Sequence, residues 1–260
     1  GLTRGGGGGS VPTTPGPQGG TGGAVVLGAQ GPGQAPRGRC PVVGPHSRTG
    51  MLLKVIAGSE PSTVVHVSVQ GGEVAAVLND TWLDGVVPRG GDDAVPVAAP
   101  AREQVIAGVA IDGRATLRIA VPGDNEAVVE SRVLTPSGPK ALPANGVTRV
   151  AAHSTKDLDL GALPPEAYAV QFRADVPVVA AAMVDRRLTP GATSDLAWAP
   201  ASAPITTVAG MALPGPDVSG TFAALYLSAA YNPGSGLGTT VSVDRQVTPK
   251  ADDIGGNSGC

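Results

Sequence analysis

From residue 51 onward the dominant period of the apolar positions is two. Val65, Val67 and Val69 alternate with His66, Ser68 and Gln70. The same holds for Leu117, Ile119 and Val121 against Thr116, Arg118 and Ala120, and for Tyr168, Val170 and Phe172 against Ala169, Gln171 and Arg173. Successive side chains of a strand point to opposite faces, so this pattern predicts antiparallel strands with one buried and one wet face. Between the runs stand turn clusters, Pro122-Gly123-Asp124-Asn125, Pro136-Ser137-Gly138-Pro139 and Pro143-Ala144-Asn145-Gly146. Each supplies a fixed φ, a residue that tolerates positive φ, or a side chain that caps a turn. Turns spaced by roughly 8 to 12 residues suit a β-sandwich or barrel. No segment carries a capped apolar pattern of helical period. The alanine-rich stretch from Pro177 to Met183 is interleaved with valine and reads as a strand. The expected architecture is all-β, with tandem antiparallel β-sandwich units of the immunoglobulin or fibronectin-III kind.

Self-similarity sets a phase for those units. Val65 to Val69 followed by Val74 to Val77 resembles Tyr168 to Phe172 followed by Val178 to Ala182, and each pair leads to an acidic residue and a tryptophan: Asp80 with Trp82, Asp195 with Trp198. The recurrence distance is about that of one sandwich domain. The expected organisation is a disordered Gly/Pro-rich linker over 1–50, the closing half of a unit over 51–101, a complete unit over 102–208, and the opening half of another over 209–260. The two half-units would need partners for their strand edges, which suggests that 51–101 packs with 209–260.

Composition supports the linker. Of the 39 Gly and 25 Pro in the chain, residues 1–50 hold 17 Gly and 7 Pro. Charged residues make up 15% of the chain, and the net charge of −3 gives no electrostatic reason to expect nucleic acid as a partner. The longest apolar run, Val176 to Val184, is far short of the ~18 residues a spanning helix needs, so no transmembrane segment is expected. The chain opens with Gly1, and Arg4 leads into polyglycine instead of an apolar stretch, as in a fragment or a mature form without its signal peptide.

Little of the remaining sequence points to chemistry. Cys40 and Cys260 are read as not paired with each other; a disulfide between them would close a very long loop and, on a chain-entropy argument, add about 5 kcal/mol. With His46, His66 and His153 scattered, no metal-ligand spacing exists, and neither a metal nor a cofactor is expected. Gly234, Gly236 and Gly238 have nucleotide-loop spacing, but Thr239 to Val243 after them reads as a strand, which offers no helix dipole to a phosphate. His153, Ser154 and Lys156 form a polar connector with no oxyanion donor in view. Arg186-Arg187 reads as a guard at a strand end. The acidic pairs Asp92-Asp93, Asp157 with Asp159, and Asp252-Asp253 read as solvated charge. A hydrolase built on them would require Asp92, Asp93 or Asp157 to converge in one cleft. Trp82 and Trp198 are the candidate ligand-stacking residues, as platforms for a sugar; against this, each lacks a second aromatic in register, and a structural tryptophan in a sandwich core, which shows the same equivalence, is the preferred reading.

The order and spacing of Val65-His-Val-Ser-Val69 with Gly72-Glu-Val74, Thr81-Trp82-Leu83, Val121-Pro-Gly-Asp124, Val133-Leu-Thr-Pro136, Leu158-Asp-Leu160, Pro177-Val-Val-Ala180 and Ala201-Ser-Ala-Pro204 resemble a family. That family is the uncharacterised secreted one of actinobacteria catalogued as domain-of-unknown-function family 5719, often encoded beside cell-envelope glycosyltransferases. The resemblance implies an exported, envelope-associated all-β protein with no assigned functional residues. Together these readings lead us to expect a non-catalytic, extracytoplasmic structural or interaction module of the cell envelope, with a cell-wall glycan or an envelope protein as partner. The alternatives are a carbohydrate-binding module or glycosyltransferase accessory using Trp82 or Trp198, and the hydrolase described above.

Overall fold

The computed structural model describes residues 20–28, 31–32, 42–50, 52–53, 62–70, 72–135, 137–142, 146–161, 163–186 and 194–202. The chain divides into two units, Gly1–Ser228 and Ala229–Cys260, and every described residue belongs to the first. The described residues form fourteen strands and no helix: β1 (Gly20–Gly28), β2 (Gly31–Pro32), β3 (Val42–Val43), β4 (Thr63–Gln70), β5 (Leu78–Asp84), β6 (Val87–Ala94), β7 (Ala101–Ala110), β8 (Arg114–Ala120), β9 (Ala127–Thr135), β10 (Gly138–Ala141), β11 (Val147–Val150), β12 (Thr155–Asp159), β13 (Ala167–Asp185) and β14 (Leu196–Pro200). All pairings are antiparallel.

The 19-residue β13 organises the largest sheet system. Its first half, through Ala174, pairs with β7 and β9, and its second half, from Val179, pairs with β8 and β14. One strand thus passes from one sheet to the next, and the change happens at a bulge. Between the rungs Arg173↔Glu103 and Val178↔Ala101, four residues of β13 stand opposite Arg102 alone. Pro177 falls inside this bulge, where its missing N–H breaks no ladder bond. Strands β10 and β11 pair with β9 on one side, and β12 pairs with β8 on the other.

The alternating residues of both sheets meet in one core. Leu117 and Ile119 from β8, Val129 and Val133 from β9, Val170 and Phe172 from β13, and Leu158 from β12 belong to the same buried cluster. Phe172 is 1% exposed and Leu117 and Ile119 are 0% exposed; burial of such side chains stabilises the fold by about 1.5–3 kcal/mol each. The alternation of β8 therefore buries Ala115, Leu117 and Ile119 and turns Arg114, Thr116 and Arg118 outward.

Two smaller sheets behave differently. Within the segment expected to be a linker, Gly20–Gly28 pairs with β4 along eight rungs, from Thr21↔Gln70 to Gly28↔Thr63. The apolar trio Val25, Val26 and Leu27 lies in that strand, which composition over fifty residues conceals. In β4, the same alternation seen in β8 leaves Val67 and Val69 43% and 39% exposed. The stretches that echo each other in sequence are also built differently: residues 73–77 form no strand, whereas Val178 to Ala182 lie in the interior of β13. The expected packing of 51–101 with 209–260 lies outside the described residues, because everything after 202 does.

Strands β5 and β6 form a hairpin. Gly85, the first of its two turn residues, has φ +62°, as a type II′ turn requires. A register shift between Trp82 and Leu83 marks a bulge near Gly90, whose φ is +141°. A Cβ at Gly90 would stand 2.8 Å from Asp195 Cα, so a glycine is what lets the hairpin approach the chain just before β14.

Candidate functional site

The outer face of the β12–β8–β13–β14 sheet carries a connected polar network. Register puts Asp157 of β12 opposite Arg118 of β8, and Arg118 opposite Ala181 of β13. Trp198 of β14 stands opposite Met183, one step along the same face. Arg118 Nε donates to Asp157 Oδ1 at 2.9 Å and Nη2 donates to Oδ2 at 2.9 Å, a two-pronged pair. Its Nη1 donates to Thr63 O at 3.2 Å. The guanidinium carbon lies 5.4 Å from the centre of the Trp198 ring, within cation–π range.

Asp157 accepts a third bond, from Ser62 Oγ at 2.7 Å, and Ser62 Oγ lies 3.0 Å from Thr155 Oγ1. Burial pushes the Asp157 carboxyl up, but the hydrogen bonds and charge of Arg118, with the Ser62 hydroxyl, outweigh it and hold the group below its usual range. A carboxylate so held stays ionised at neutral pH and has no proton to donate.

The hairpin closes the other flank. Asp80 and Asp92 face each other across the β5–β6 ladder. Trp198 Nε1 donates to Asp80 Oδ2 at 3.0 Å, and the Trp198 backbone N–H donates to Asp92 Oδ2 at 2.6 Å. Two opposed carboxylates thus take both N–H groups of one residue. Ser194 Oγ donates to Arg89 O beside them. The Asp92 contact also occupies a main-chain donor on β14, a strand whose only ladder partner among the described strands is β13.

Below this network, β12, β8 and β13 line a groove of about 350 Å³ with Arg114, Thr116, Arg118, Asp157, Asp159, Met183 and Asp185. Leu158, 3% exposed, turns inward between the two outward carboxylates of β12.

The residues singled out from the sequence are distributed as follows. Trp198 is half-buried, with one ring face under Arg118 and its indole N–H engaged. Trp82 is half-buried on the hairpin opposite Gly90. Asp92 and Asp157 join the same network from opposite ends, linked through Trp198 and Arg118, whereas Asp93 is exposed and accepts from Asn79 Nδ2 at 2.8 Å. His153 Nε2 lies 2.7 Å from Asp124 Oδ1, Ser154 Oγ donates to Ala151 O, and Lys156 Nζ donates to Arg149 O, so the connector's polar groups go to separate partners. Arg186 pairs with Asp112 at 3.2 Å. Cys40, Cys260, Asp252, Asp253 and the Gly234–Gly238 loop lie outside the described residues. Among the described residues no group of three His, Cys, Asp or Glu side chains could hold a metal ion, and no helix is long and apolar enough to cross a membrane.

Arg118, Ser62 and Asp80 carry no site signature in the sequence. The only signal for Arg118 was its outward position in an alternating strand. The family model of DUF5719, a family of unknown function, matches residues 24–252. The chain belongs to this family. In this DUF5719 member the Arg118 network and the groove fall inside the matched region. No protein with a curated description matches the chain. Among solved structures, that of Thermotoga maritima 1070 is 18% identical, covering 39% of this chain and 93% of that one, with a TM-score of 0.33. The Anabaena sensory rhodopsin transducer is 22% identical, covering 33% of this chain and 97% of that one, with a TM-score of 0.28.

Proposed function

We propose that this DUF5719 protein is a non-catalytic, extracytoplasmic structural or interaction module of the cell envelope. On this reading the β7–β14 system is an immunoglobulin- or fibronectin-III-like sandwich, one of a tandem set. The observation that carries it is the Arg118–Asp157–Ser62–Trp198 network. Its functional groups are spent on one another, and they tie the start of β4, the β8–β12 sheet, β14 and the hairpin into one surface. An acid held ionised by a two-pronged arginine is suited to fixing geometry, not to proton transfer. The resemblance to a secreted actinobacterial family is what favours the envelope as the location. The test is to incubate the full chain with isolated actinobacterial cell envelope. Saturable co-sedimentation without release of reducing sugar or free amine is expected; product release abolished by Asp157→Asn would overturn the reading.

A second reading, a carbohydrate-binding module, is favoured by the groove beside Trp198. Arg114, Thr116 and Asp159 line it from rigid strands, and paired donors and acceptors of this kind suit vicinal hydroxyls. Binding to soluble cell-wall glycan that survives alanine at both Trp82 and Trp198 would remove the stacking role, and survival of Arg114→Ala as well would remove the groove.

A further inference from the structure

The β13 bulge makes a second concavity, apart from the Arg118 face. Between two ladder rungs β7 supplies Arg102 alone while β13 supplies Ala174 to Pro177, so the chain leaves the sheet there. The result is a cavity of about 400 Å³ lined by Arg102, Val176 and Pro177 and by the turn from Pro122 to Asn125. That volume is at the small end of ligand sites, which run from about 300 to 1,000 Å³. Both walls are fixed. Gln104, 3% exposed, donates from Nε2 to Ala99 O at 3.1 Å and to Val178 O at 3.0 Å, which pins the end of the bulge. Asp175 Oδ1 accepts the Val128 N–H at 2.8 Å. The turn is held by His153, whose N–H donates to Gly123 O at 3.3 Å and whose ring meets Asp124. His153 sits at φ +52°, a conformation that costs a histidine energy and persists where surrounding bonds demand it.

The chemistry of the lining is specific. Pro122, Val176 and Pro177 give an apolar floor. Arg102 is exposed at the edge and, among the described residues, makes no ion pair; its neighbour Glu103 pairs instead with Arg173. Residues 175–177 pair with no strand, so main-chain groups of Asp175 and Val176 face no ladder partner. An unpaired guanidinium takes a carboxylate in two-pronged fashion, and unpaired main chain takes another main chain. Asp124, the one acid on the rim, is turned to His153. We propose that this cavity binds the C-terminus of a short peptide, with the terminal carboxylate on Arg102 and a small aliphatic side chain on the Pro122–Val176–Pro177 floor.

The test is a titration of the full chain with N-acetyl-Ala-Ala, followed by calorimetry and by amide NMR shifts. Saturable binding with shifts at Gly123, Asn125 and Val176 is expected. The C-terminal amide of the same peptide, and the variants Arg102→Ala and Arg102→Glu, should each bind at least about tenfold more weakly, as loss of a charged hydrogen-bonded pair requires. Arg89→Ala, on the hairpin, should leave binding unchanged. Arg102 is exposed, so its variants should unfold at the wild-type temperature; were they not to, the amide comparison on unmodified protein still decides. Equal binding of acid and amide, retention of affinity in folded Arg102→Ala, or no saturable binding would overturn the proposal. Propionate binding as tightly as the peptide would overturn the peptide assignment in favour of a bare carboxylate.

Discussion

The sandwich around β13 and the β5–β6 hairpin are both antiparallel, but they are held by opposite means. In the sandwich, Phe172, Leu117, Ile119 and Val170 are at most 1% exposed and belong to one cluster. In the hairpin, Val86 is 93%, Leu83 57% and Val87 50% exposed, and no residue of either strand is buried. What fixes the hairpin is polar: Asp80 and Asp92 on Trp198, Ser194 on Arg89, and a glycine at 90 that allows close approach. A two-stranded ribbon is marginal alone, so its order depends on those few bonds, whereas the sandwich rests on burial spread over many residues.

The largest expected effect breaks the sandwich side. Leu117→Ala or Phe172→Ala leaves a cavity in a closed core and should cost about 3–5 kcal/mol, read from urea midpoints. Leu83→Ala, with its side chain already in water, should stay within about 0.5 kcal/mol in the same assay. A large loss at Leu83 would mean that the hairpin's apolar face is covered in solution, and the contrast would fail.

Next in size is the Arg118–Asp157 clasp, which joins β12 to β8 within the sandwich and reaches the hairpin only through Trp198. The Arg118 and Asp157 side chains are 12% and 32% exposed, so removing the arginine strands a half-buried carboxylate. Arg118→Ala should cost about 2 kcal/mol, below the roughly 3–5 kcal/mol of breaking a fully buried pair because Asp157 retains some water. The sign of the pH effect follows from the lowered folded-state value of Asp157. Against an unfolded value near 3.8, the unfolded chain binds more protons in the window just below it. The contribution is therefore complete above that value and is lost as pH falls through the folded one. Chemical denaturation between pH 5 and about 2.5 should show the wild type losing stability faster than Asp157→Asn over this window. Parallel curves would show that the pair adds nothing.

These effects also show where the sequence is legible. Alternation reads the strands at 116–121 and 168–172 and places Leu117, Ile119, Val170 and Phe172 in the core. Ala120, Ala169 and Gln171, expected on the wet face, are buried as well, because strand period assigns side chains to faces without saying whether the second face is covered. The same alternation at 65–69 leads to half-exposed valines, since period says that two faces differ and not what covers either of them. Arg118 and Asp157 are 39 positions apart, and only the β8–β12 register brings them together, which no local pattern encodes. The sequence presents Trp198 as a core residue or an open platform; it is half-buried with one face under a guanidinium, an arrangement that needs β8, β13 and β14 side by side. The repeat misleads for a related reason. Asp80 and Trp82 resemble Asp195 and Trp198 in sequence, yet Asp80 binds Trp198 itself, so the two acid–tryptophan segments meet as partners in one network.

A smaller effect should release the hairpin while sparing the sandwich. Asp92→Ala removes one acceptor from the Trp198 backbone N–H and should lower global stability by about 1 kcal/mol. Locally the change should be larger: faster amide exchange through β5 and β6, and a shift in Trp fluorescence, with β8 and β13 protected as before. Uniformly faster exchange across β8 and β13 would show that hairpin and sandwich unfold as one unit.

The smallest expected effect tests whether charge pairs matter when they join nothing. Arg149 Nη1 meets Glu126 at 2.7 Å, a distance as short as any in the Arg118 network save one, but the two side chains are 70% and 51% exposed. Water screens such a pair and both side chains lose freedom in making it, so Arg149→Ala should change stability by less than about 0.5 kcal/mol. Geometry alone would rank this pair with Arg118–Asp157, at 2.9 Å. Burial ranks it far below, because only a charge removed from water needs its partner. Measured side by side in low and high salt, the Arg149 variant should track the wild type throughout, while Arg118→Ala stays destabilised in both. Equal losses for the two would mean that distance governs these pairs, and the division between a clasp and surface decoration would have to be withdrawn.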